Sequence, residues 1–176
     1  MAISGPDFSI SDFLSAIEHS VRPGTQRPLV VHDHELETIP AGAVPNPTIL
    51  RIAGRLPTVT FELYRQVIPP GESSDMQRHH HETVHFVISG DGHSEIEQGQ
   101  KSPDALEVVT WTTGSFIYTP PWTWHRHYND SAEYAVEFLT IENSRLLGLF
   151  GVGRRQSAGT VTYDQARASC DPKERT

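Results

Sequence analysis

The chain has 176 residues, 36% of them hydrophobic and 20% charged, which fits one soluble globular domain with a substantial core. A net charge of −8, without a cluster of Lys or Arg, argues against a nucleic-acid or membrane-surface partner. The single cysteine, Cys170, excludes an intramolecular disulfide. Neither a signal-peptide pattern nor an apolar run of the roughly 18 residues that a membrane span needs is present, so we expect a cytoplasmic protein.

The first predicted element is a short amphipathic helix near the N-terminus. The stretch "SISDFLSAIEHS" begins with Ser and Asp, and it carries Ile10, Phe13, Leu14 and Ile17 at helical spacing. We expect this helix to pack on the domain or on a second subunit. The following "PLVVHDHELETIP" predicts a strand and a turn, so residues 1–48 are assigned to an N-terminal arm.

Residues 49–150 show short strands separated by turn residues. "TVTFELYRQVI", "HSEIEQGQ" and "EYAVEFLTIEN" alternate apolar and polar residues, and "TVHFVIS" ends at Gly90-Asp91-Gly92, a tight hairpin signal. This spacing, without helical patterns between the strands, predicts an all-β sandwich or barrel of jelly-roll type. "SRLLGLF" is open between helix and strand. Residues 151–176 are expected to be a polar C-terminal tail.

Histidines are concentrated in two segments of this region, "QRHHHETVH" and "PPWTWHRHYND". If the first segment is a regular strand, alternate side chains share a face. That face then carries one glutamine and three histidines: Gln77, His79, His81 and His85. The second segment places His125 and His127 on one face. Imidazole is the commonest metal ligand, and imidazoles inside a barrel without a metal need many hydrogen-bond partners, so we expect a metal site rather than a solvated polar face.

The two histidine segments resemble the paired motifs of the cupin superfamily, small β-barrels with a metal at the centre. The first family motif is G-x5-H-x-H-x3-4-E-x6-G. It is read from Gly71 to Gly90, with Gln77 in place of the first His, His79 as the second, and Thr83 in place of the Glu. The resemblance implies a cupin (jelly-roll) β-barrel with a metal ion inside, preceded here by the short N-terminal helix.

The second family motif is G-x5-P-x-G-x2-H-x3-N. Gly114, Pro120, His125 and Asn129 match its spacing, and only the inner Gly differs, as Trp122. "PPGESSDMQRH" and "FIYTPPWTWHRHYND" are further similar to segments of gentisate-type aromatic ring-cleaving dioxygenases. That resemblance implies a three-histidine iron site without a Glu. It also implies a homodimer, because those enzymes mostly carry two barrels and this chain has one.

A second register of the first motif stays open. His79, His81 and His85, counted toward Gly92, satisfy the same spacing with His in the Glu position. The flanking sequence favours the first register, whereas the ligand chemistry favours the second. The candidate metal ligands are therefore His79, His81, His85 and His125, with Gln77 as a weak ligand or a substrate contact. All-imidazole ligation suits Fe, Zn, Cu or Ni. Fe(II) is the expected cofactor, and another divalent metal (Zn, Ni, Cu or Mn) is the alternative.

Three aromatic residues beside the second motif, Trp122, Trp124 and Tyr118, are candidates for an aromatic-binding pocket, although a core position for Tyr118 stays open. His127 is a candidate base or substrate hydrogen-bond donor, with a surface position as the alternative. In the first register, His85 occupies a position where the resembled enzymes carry an Arg implied to anchor a substrate carboxylate. His85 is therefore also a candidate for binding a substrate oxygen.

The resemblance to ring-cleaving dioxygenases implies a mononuclear non-haem metal dioxygenase, with Fe(II) as the expected metal, that acts on a small phenolic or dicarbonyl compound. The rival hypothesis is a metal-dependent cupin isomerase, lyase or cyclase that does not use O2, because fold does not determine reaction class. A third hypothesis is a non-catalytic cupin that binds a small molecule. Turnover without oxygen would favour the second hypothesis, and ligand binding without turnover would favour the third.

Overall fold

The computed structural model of the protein describes residues 28–43, 46–98 and 105–170. The strands in this part are β1 (Glu37–Ile39), β2 (Ile49–Ile52), β3 (Glu62–Ile68), β4 (Gln77–His79), β5 (Thr83–Ser89), β6 (Asp91–Glu97), β7 (Leu106–Thr112), β8 (Phe116–Thr119), β9 (His125–Asn129), β10 (Val136–Glu142) and β11 (Arg155–Ser157). A 3-10 turn, Asp33–Glu35, precedes β1. Two helices, α1 (Ser144–Leu149) and α2 (Tyr163–Cys170), follow β10.

The strands form two antiparallel sheets, which together make up the barrel. The first sheet has the order β1-β2-β3-β10-β5-β8 and the second has the order β11-β4-β9-β6-β7. Alternate residues of β5, β9 and β10 are buried, because successive side chains of a strand point to opposite faces. Both sheets contribute to one apolar core: Ile68, Val87, Trp111, Ile117, Val136 and Phe138. The predicted all-β architecture is confirmed.

The prediction of a tight hairpin at Gly90-Asp91-Gly92 is wrong, because the chain passes here from one sheet to the other. β5 pairs with β8 and β10, whereas β6 pairs with β7 and β9. Gly90 has φ +97°, which favours glycine, and a Cβ on Gly92 would lie 2.1 Å from the carbonyl oxygen of Tyr128. The glycines therefore serve a sharp crossover and a close backbone approach.

The segment 77–85 is not one regular strand. β4 lies in the second sheet and β5 in the first, and residues 80 and 81 form a bend between them. Gln77, His79 and His85 are nevertheless all buried, because the two sheets face each other across the barrel. His80 turns outward, where its Nδ1 lies 2.7 Å from the carbonyl oxygen of Val152.

The C-terminal residues differ from the expected polar tail. β11 pairs with β4, and α2 covers Met76 and Trp124 with its buried residues Tyr163 and Ala166. "SRLLGLF" contains helix α1. The predicted N-terminal helix lies outside the described residues, and both α-helices of the described part follow β10. None of these helices is long and apolar enough to cross a membrane.

Candidate metal centre

Four imidazole rings meet inside the barrel. His79 comes from β4, His85 from β5, and His125 and His127 from β9. The ring centroids of His79 and His125 are 4.7 Å apart, those of His85 and His127 are 4.6 Å apart, and those of His125 and His127 are 5.7 Å apart. The exposed fraction of these four residues lies between 1% and 4%. We call these four residues the imidazole cluster.

Strand pairing explains why the cluster forms. In β9, His125 and His127 alternate with half-buried residues, so both rings point into the barrel. His125 lies opposite Gln77 of β4 and opposite Ile96 of β6, while His127 lies opposite Ser94. The central strand β9 thus carries two rings of the cluster, the adjacent strand β4 carries the third, and β5 of the other sheet carries the fourth.

The hydrogen bonds of His79 and His125 leave one ring nitrogen of each available. His79 Nδ1 lies 2.9 Å from the carbonyl oxygen of His81, and His125 Nδ1 lies 2.9 Å from the carbonyl oxygen of Thr123. A carbonyl oxygen only accepts, so each Nδ1 carries the proton and each Nε2 keeps its lone pair. Metal-binding histidines are typically oriented by such a bond.

The other two rings are bonded to hydroxyl groups. His85 Nδ1 lies 2.9 Å from Thr140 Oγ1, and His127 Nδ1 lies 2.7 Å from Ser94 Oγ. The indole N–H of Trp111 also donates to Ser94 Oγ, over 2.8 Å. A hydroxyl both donates and accepts, so these bonds permit either tautomer of the two rings.

Burial keeps all four rings neutral. Burial first, and then the charges of neighbouring imidazoles, lower the pKa of His79 to about 4 and that of His85 to about 3. The pKa values of His125 and His127 are also well below the usual range, first because of burial and then because of the adjacent histidines. Neutral imidazole is the form that binds a metal.

Buried polar atoms without a partner surround the cluster. Among the described residues they include His127 Nε2, Gln77 Oε1 and the Oγ1 atoms of Thr83 and Thr119, which face each other in paired strands. Buried polar groups of this kind are rare in folded proteins unless a water molecule, an ion or a ligand satisfies them. Gln77 and Thr83 stand at the first-His and Glu positions of the first motif register, so the unsatisfied atoms coincide with motif positions.

The donor chemistry fits a metal ion, but the rings are not converged. Within the described ranges, no three His, Cys, Asp or Glu side chains enclose a common metal position as they stand. Binding would require at least one ring to rotate about its side-chain bonds. His81 lies in the bend, stacks on His79 with a centroid distance of 3.7 Å, and directs Nε2 to Glu142 Oε2 at 3.2 Å. Of the predicted ligands, His81 is thus the one engaged elsewhere.

The rings of the aromatic residues predicted to line a substrate pocket lie apart from the imidazole cluster. Trp124 is fully buried beneath α2, and its Nε1 has no partner. The guanidinium of Arg78 lies 4.5 Å from the Trp122 ring and 4.6 Å from the Trp124 ring, so the two indoles hold this arginine. Tyr118 is 52% exposed. Trp124 comes immediately before β9 and packs with Met76, Tyr163 and Ala166 in the second core cluster, so its indole lies apart from the imidazole cluster.

Trp122 connects the second motif to the first. It has φ +55°, the left-handed conformation that favours glycine, at the position where the family motif has its inner Gly. The Trp122 backbone N–H donates to the carbonyl oxygen of His79 over 2.6 Å. The turn before β9 thus retains the conformation of the motif although the residue differs, and it braces β4 beside His79.

The sequence analysis did not single out Glu142, Tyr64 or Arg155. Glu142 Oε2 accepts a hydrogen bond from the Tyr64 hydroxyl over 2.9 Å, next to His81. Burial opposes the charge of Glu142, but the His81, Ser144 and Tyr64 side chains lower its pKa overall. Strand alternation places Glu142 on the same face as Phe138 and Thr140, a usable signal. The position of Arg155 depends on the pairing of β11 with β4, which no local pattern indicates.

Residues 64–142 match the family model of the cupin domain. A cupin-2 domain protein from Rhodospirillum rubrum superposes with a TM-score of 0.56, at 19% identity, over 82% of this chain and 88% of that one. Salicylate 1,2-dioxygenase from Pseudaminobacter salicylatoxidans gives a TM-score of 0.55 at 13% identity, over 69% of this chain and 33% of that one. The fold is therefore the cupin jelly roll, as the motifs implied.

Two curated proteins are similar in sequence over part of the chain. Gentisate 1,2-dioxygenase 1 of Aquipseudomonas alcaligenes is 37% identical over 78 residues, which are 43% of this chain and 20% of that enzyme. The 5-aminosalicylate 1,2-dioxygenase of a Comamonas species is 31% identical over 96 residues, 54% of this chain and 23% of that enzyme. The predicted resemblance to gentisate-type dioxygenases is confirmed, and the matched part spans about a fifth of these relatives.

Proposed function

We propose that this cupin-fold protein is a mononuclear non-haem Fe(II) dioxygenase that acts on a small phenolic compound. The observation that carries the proposal is the imidazole cluster, which is buried and neutral and has Nδ1 of both His79 and His125 held by carbonyl oxygens. Proteins similar to part of the chain act on gentisate and 5-aminosalicylate. Together these favour ring cleavage over the other reactions that cupins support.

His79 and His125 would hold the metal, and a third imidazole would come from His85 or His127. All four residues offer imidazole nitrogens, which are suitable ligands for Fe(II) and also for Zn, Ni and Cu. When bound, Fe(II) would supply the reaction with O2 that side chains alone cannot perform. Whichever of His85 and His127 does not bind the metal would lie beside it and form hydrogen bonds with the substrate.

The surrounding residues would orient and shield the reacting groups. The Trp122 N–H fixes the backbone of His79, and the carbonyl oxygen of Thr123 fixes the ring of His125. Phe138 packs against both His85 and His127, with centroid distances of 5.4 and 5.7 Å, and excludes water from beneath the rings. Gln77 Oε1 and Thr83 Oγ1, unpartnered and buried, would accept or exchange hydrogen bonds with substrate hydroxyls.

Oxygen consumption tests this proposal. Protein loaded anaerobically with Fe(II) should take up one O2 per molecule of gentisate, salicylate or 5-aminosalicylate, with loss of the aromatic ultraviolet absorbance. Zn-loaded protein is the control and should consume none. Turnover under strict anaerobiosis, or equal turnover with Zn, would instead support a metal-dependent isomerase, lyase or cyclase. Binding of the phenols without any turnover would support a small-molecule-binding cupin.

A further inference from the structure

We infer that Arg155, on the C-terminal strand β11, is an anion-recognition residue of this site and binds the carboxylate of an anionic substrate. The inference rests on the proposed function, in which the metal end of the same ligand lies at the imidazole cluster. It deepens that function by naming the charge that the substrate carries and the residue that selects for it.

The register of β11 places Arg155 on the inner face of the second sheet. β11 pairs antiparallel with β4, and Arg155 lies opposite His79, Gln156 opposite Arg78, and Ser157 opposite Gln77. Directly opposed residues of antiparallel strands share a face. Arg155 therefore shares the face of His79, whereas Gln156 accepts a hydrogen bond from Arg78 on the opposite face of the sheet.

Cross-strand pairing and ring contacts connect Arg155 to the imidazole cluster. Arg155 lies opposite His79. The His79 ring centroid is 4.7 Å from that of His125 and 3.7 Å from that of His81, and His81 directs Nε2 to Glu142. Arg155 therefore belongs to the end of the barrel that carries these residues.

The guanidinium remains open to a ligand. The Arg155 side chain is 45% exposed, and its ion-pair contact is with Asp75 Oδ2, at an N–O distance of 3.6 Å. That distance exceeds a normal hydrogen bond, and Asp75 Oδ2 already accepts from the Ser157 hydroxyl. Since guanidinium has five N–H donors, the contact leaves a pair of them for a carboxylate.

Glu142, another charged residue at this end of the barrel, already has partners for its carboxylate. The Glu142 carboxylate is hydrogen-bonded by Tyr64 and lies 3.2 Å from His81 Nε2. His85, the position considered for a substrate anchor, is 3% exposed and neutral, so it offers no positive charge. Of these residues, Arg155 alone combines charge, exposure and an inward register, which favours a small ligand with both a carboxylate and a metal-chelating oxygen.

Calorimetric titration of salicylate and of its uncharged amide, salicylamide, into metal-loaded protein under nitrogen tests the inference. Arg155→Gln should weaken salicylate binding by about 10- to 100-fold, because a charge-assisted hydrogen bond is lost, while salicylamide binding stays unchanged. Arg155→Lys should give an intermediate loss, since Lys offers a point charge without the planar fork. Arg154→Gln, at the exposed neighbouring arginine, is the matched control and should bind both compounds like the wild type.

Three results would overturn the inference: wild-type protein that binds salicylate no better than salicylamide, equal losses for both compounds in Arg155→Gln, or salicylate binding unaffected by that substitution. Metal content and thermal midpoint are measured for each variant, so that a structural effect through Asp75 is recognised. The two proposals can fail separately. Arg155-dependent binding of salicylate without O2 uptake would contradict the proposed function and still support the anion site. O2 uptake with a KM that Arg155→Gln leaves unchanged would contradict only the anion site.

Discussion

At the scale of single residues, the position of Gln77 is the main departure from the family motif. Its side chain lies directly opposite His125 and is buried, and its Oε1 has no partner. An amide oxygen is a weaker ligand than imidazole for first-row transition metals. At the motif position of the first His, opposite His125, the chain therefore carries an amide instead of an imidazole.

Restoring the motif should strengthen metal binding. Gln77→His would place an imidazole opposite His125 and beside His79, so we expect the dissociation constant for Fe(II) or Zn to fall by roughly tenfold or more. Competition with a chromophoric chelator measures this change. The control is Gln98→His, at the exposed end of the second sheet, which should leave the affinity as it is. An unchanged affinity in Gln77→His would show that metal binding does not involve this position.

Trp122 offers a second test at this scale. Its φ of +55° costs a residue with a side chain about 1 kcal/mol or more relative to glycine. Both Trp122→Gly and Trp122→Ala lose the contact with Arg78, but only Ala keeps the backbone strain. Urea unfolding should therefore show Trp122→Gly more stable than Trp122→Ala by about 1 kcal/mol. Equal stability of the two variants would mean that the turn relaxes when the indole is removed.

At the scale of elements, sequence alternation identified most strands and half of the imidazole cluster. His125 and His127 lie two residues apart in a true strand, so the prediction that they share a face holds. The prediction that residues 77–85 form one regular strand is wrong, because a bend at residues 80 and 81 moves the chain into the other sheet. Alternation reports which face a residue takes, whereas the sheet it joins depends on contacts that are distant in sequence.

The C-terminal elements were missed for the same reason. Residues 155–170 contain few apolar positions, so their composition resembles that of a tail. Two of these apolar residues, Tyr163 and Ala166, nevertheless pack in one buried cluster with Met76 and Trp124. Arg155 and Ser157 gain their contacts with the site only through the pairing of β11 with β4. Cross-strand register between distant segments is not encoded in a local pattern.

This docking of α2 can be tested with two alanines of the same helix. Ala166 is completely buried against the second core cluster, whereas Ala168 is exposed. Ala166→Glu would bury an unpaired charge, and we expect it to lower the free energy of unfolding by about 3 kcal/mol or more, or to detach the helix. Ala168→Glu should change it by less than about 0.5 kcal/mol. Similar urea midpoints for both variants would contradict the packing described for α2.

At the scale of the whole molecule, the four buried imidazoles make the free energy of unfolding depend on pH. Four imidazoles are neutral in the folded state, but each has an ordinary pKa near 6.5 once the chain unfolds. Because the folded-state pKa is depressed, unfolding takes up protons below pH 6.5. The stability present above pH 6.5 is lost as the pH falls toward about 4 for His79 and about 3 for His85.

The metal-free protein should therefore lose stability on acidification in a way that depends on these rings. Between pH 6.5 and pH 4, each buried imidazole contributes up to about 1.4 kcal/mol per pH unit to the decline. His85→Asn should make the decline shallower by about that amount, as measured by urea unfolding at several pH values. Gln77→Asn, which alters a buried side chain opposite His125 without removing an ionisable group, is the control and should change stability by the same amount at every pH. Parallel profiles for wild type and His85→Asn would contradict the buried, neutral state of His85.

The central claim is that His79 and His125 together hold one metal ion in this barrel. Its most direct test is the metal-to-chain ratio, measured by elemental analysis after anaerobic reconstitution with Fe(II) and gel filtration. We predict a ratio near one for the wild type and for the control variant His93→Ala, and a ratio near zero for the double variant His79→Ala/His125→Ala that still elutes as folded protein. A wild type that binds no metal, or a double variant that retains a full equivalent, would contradict the account.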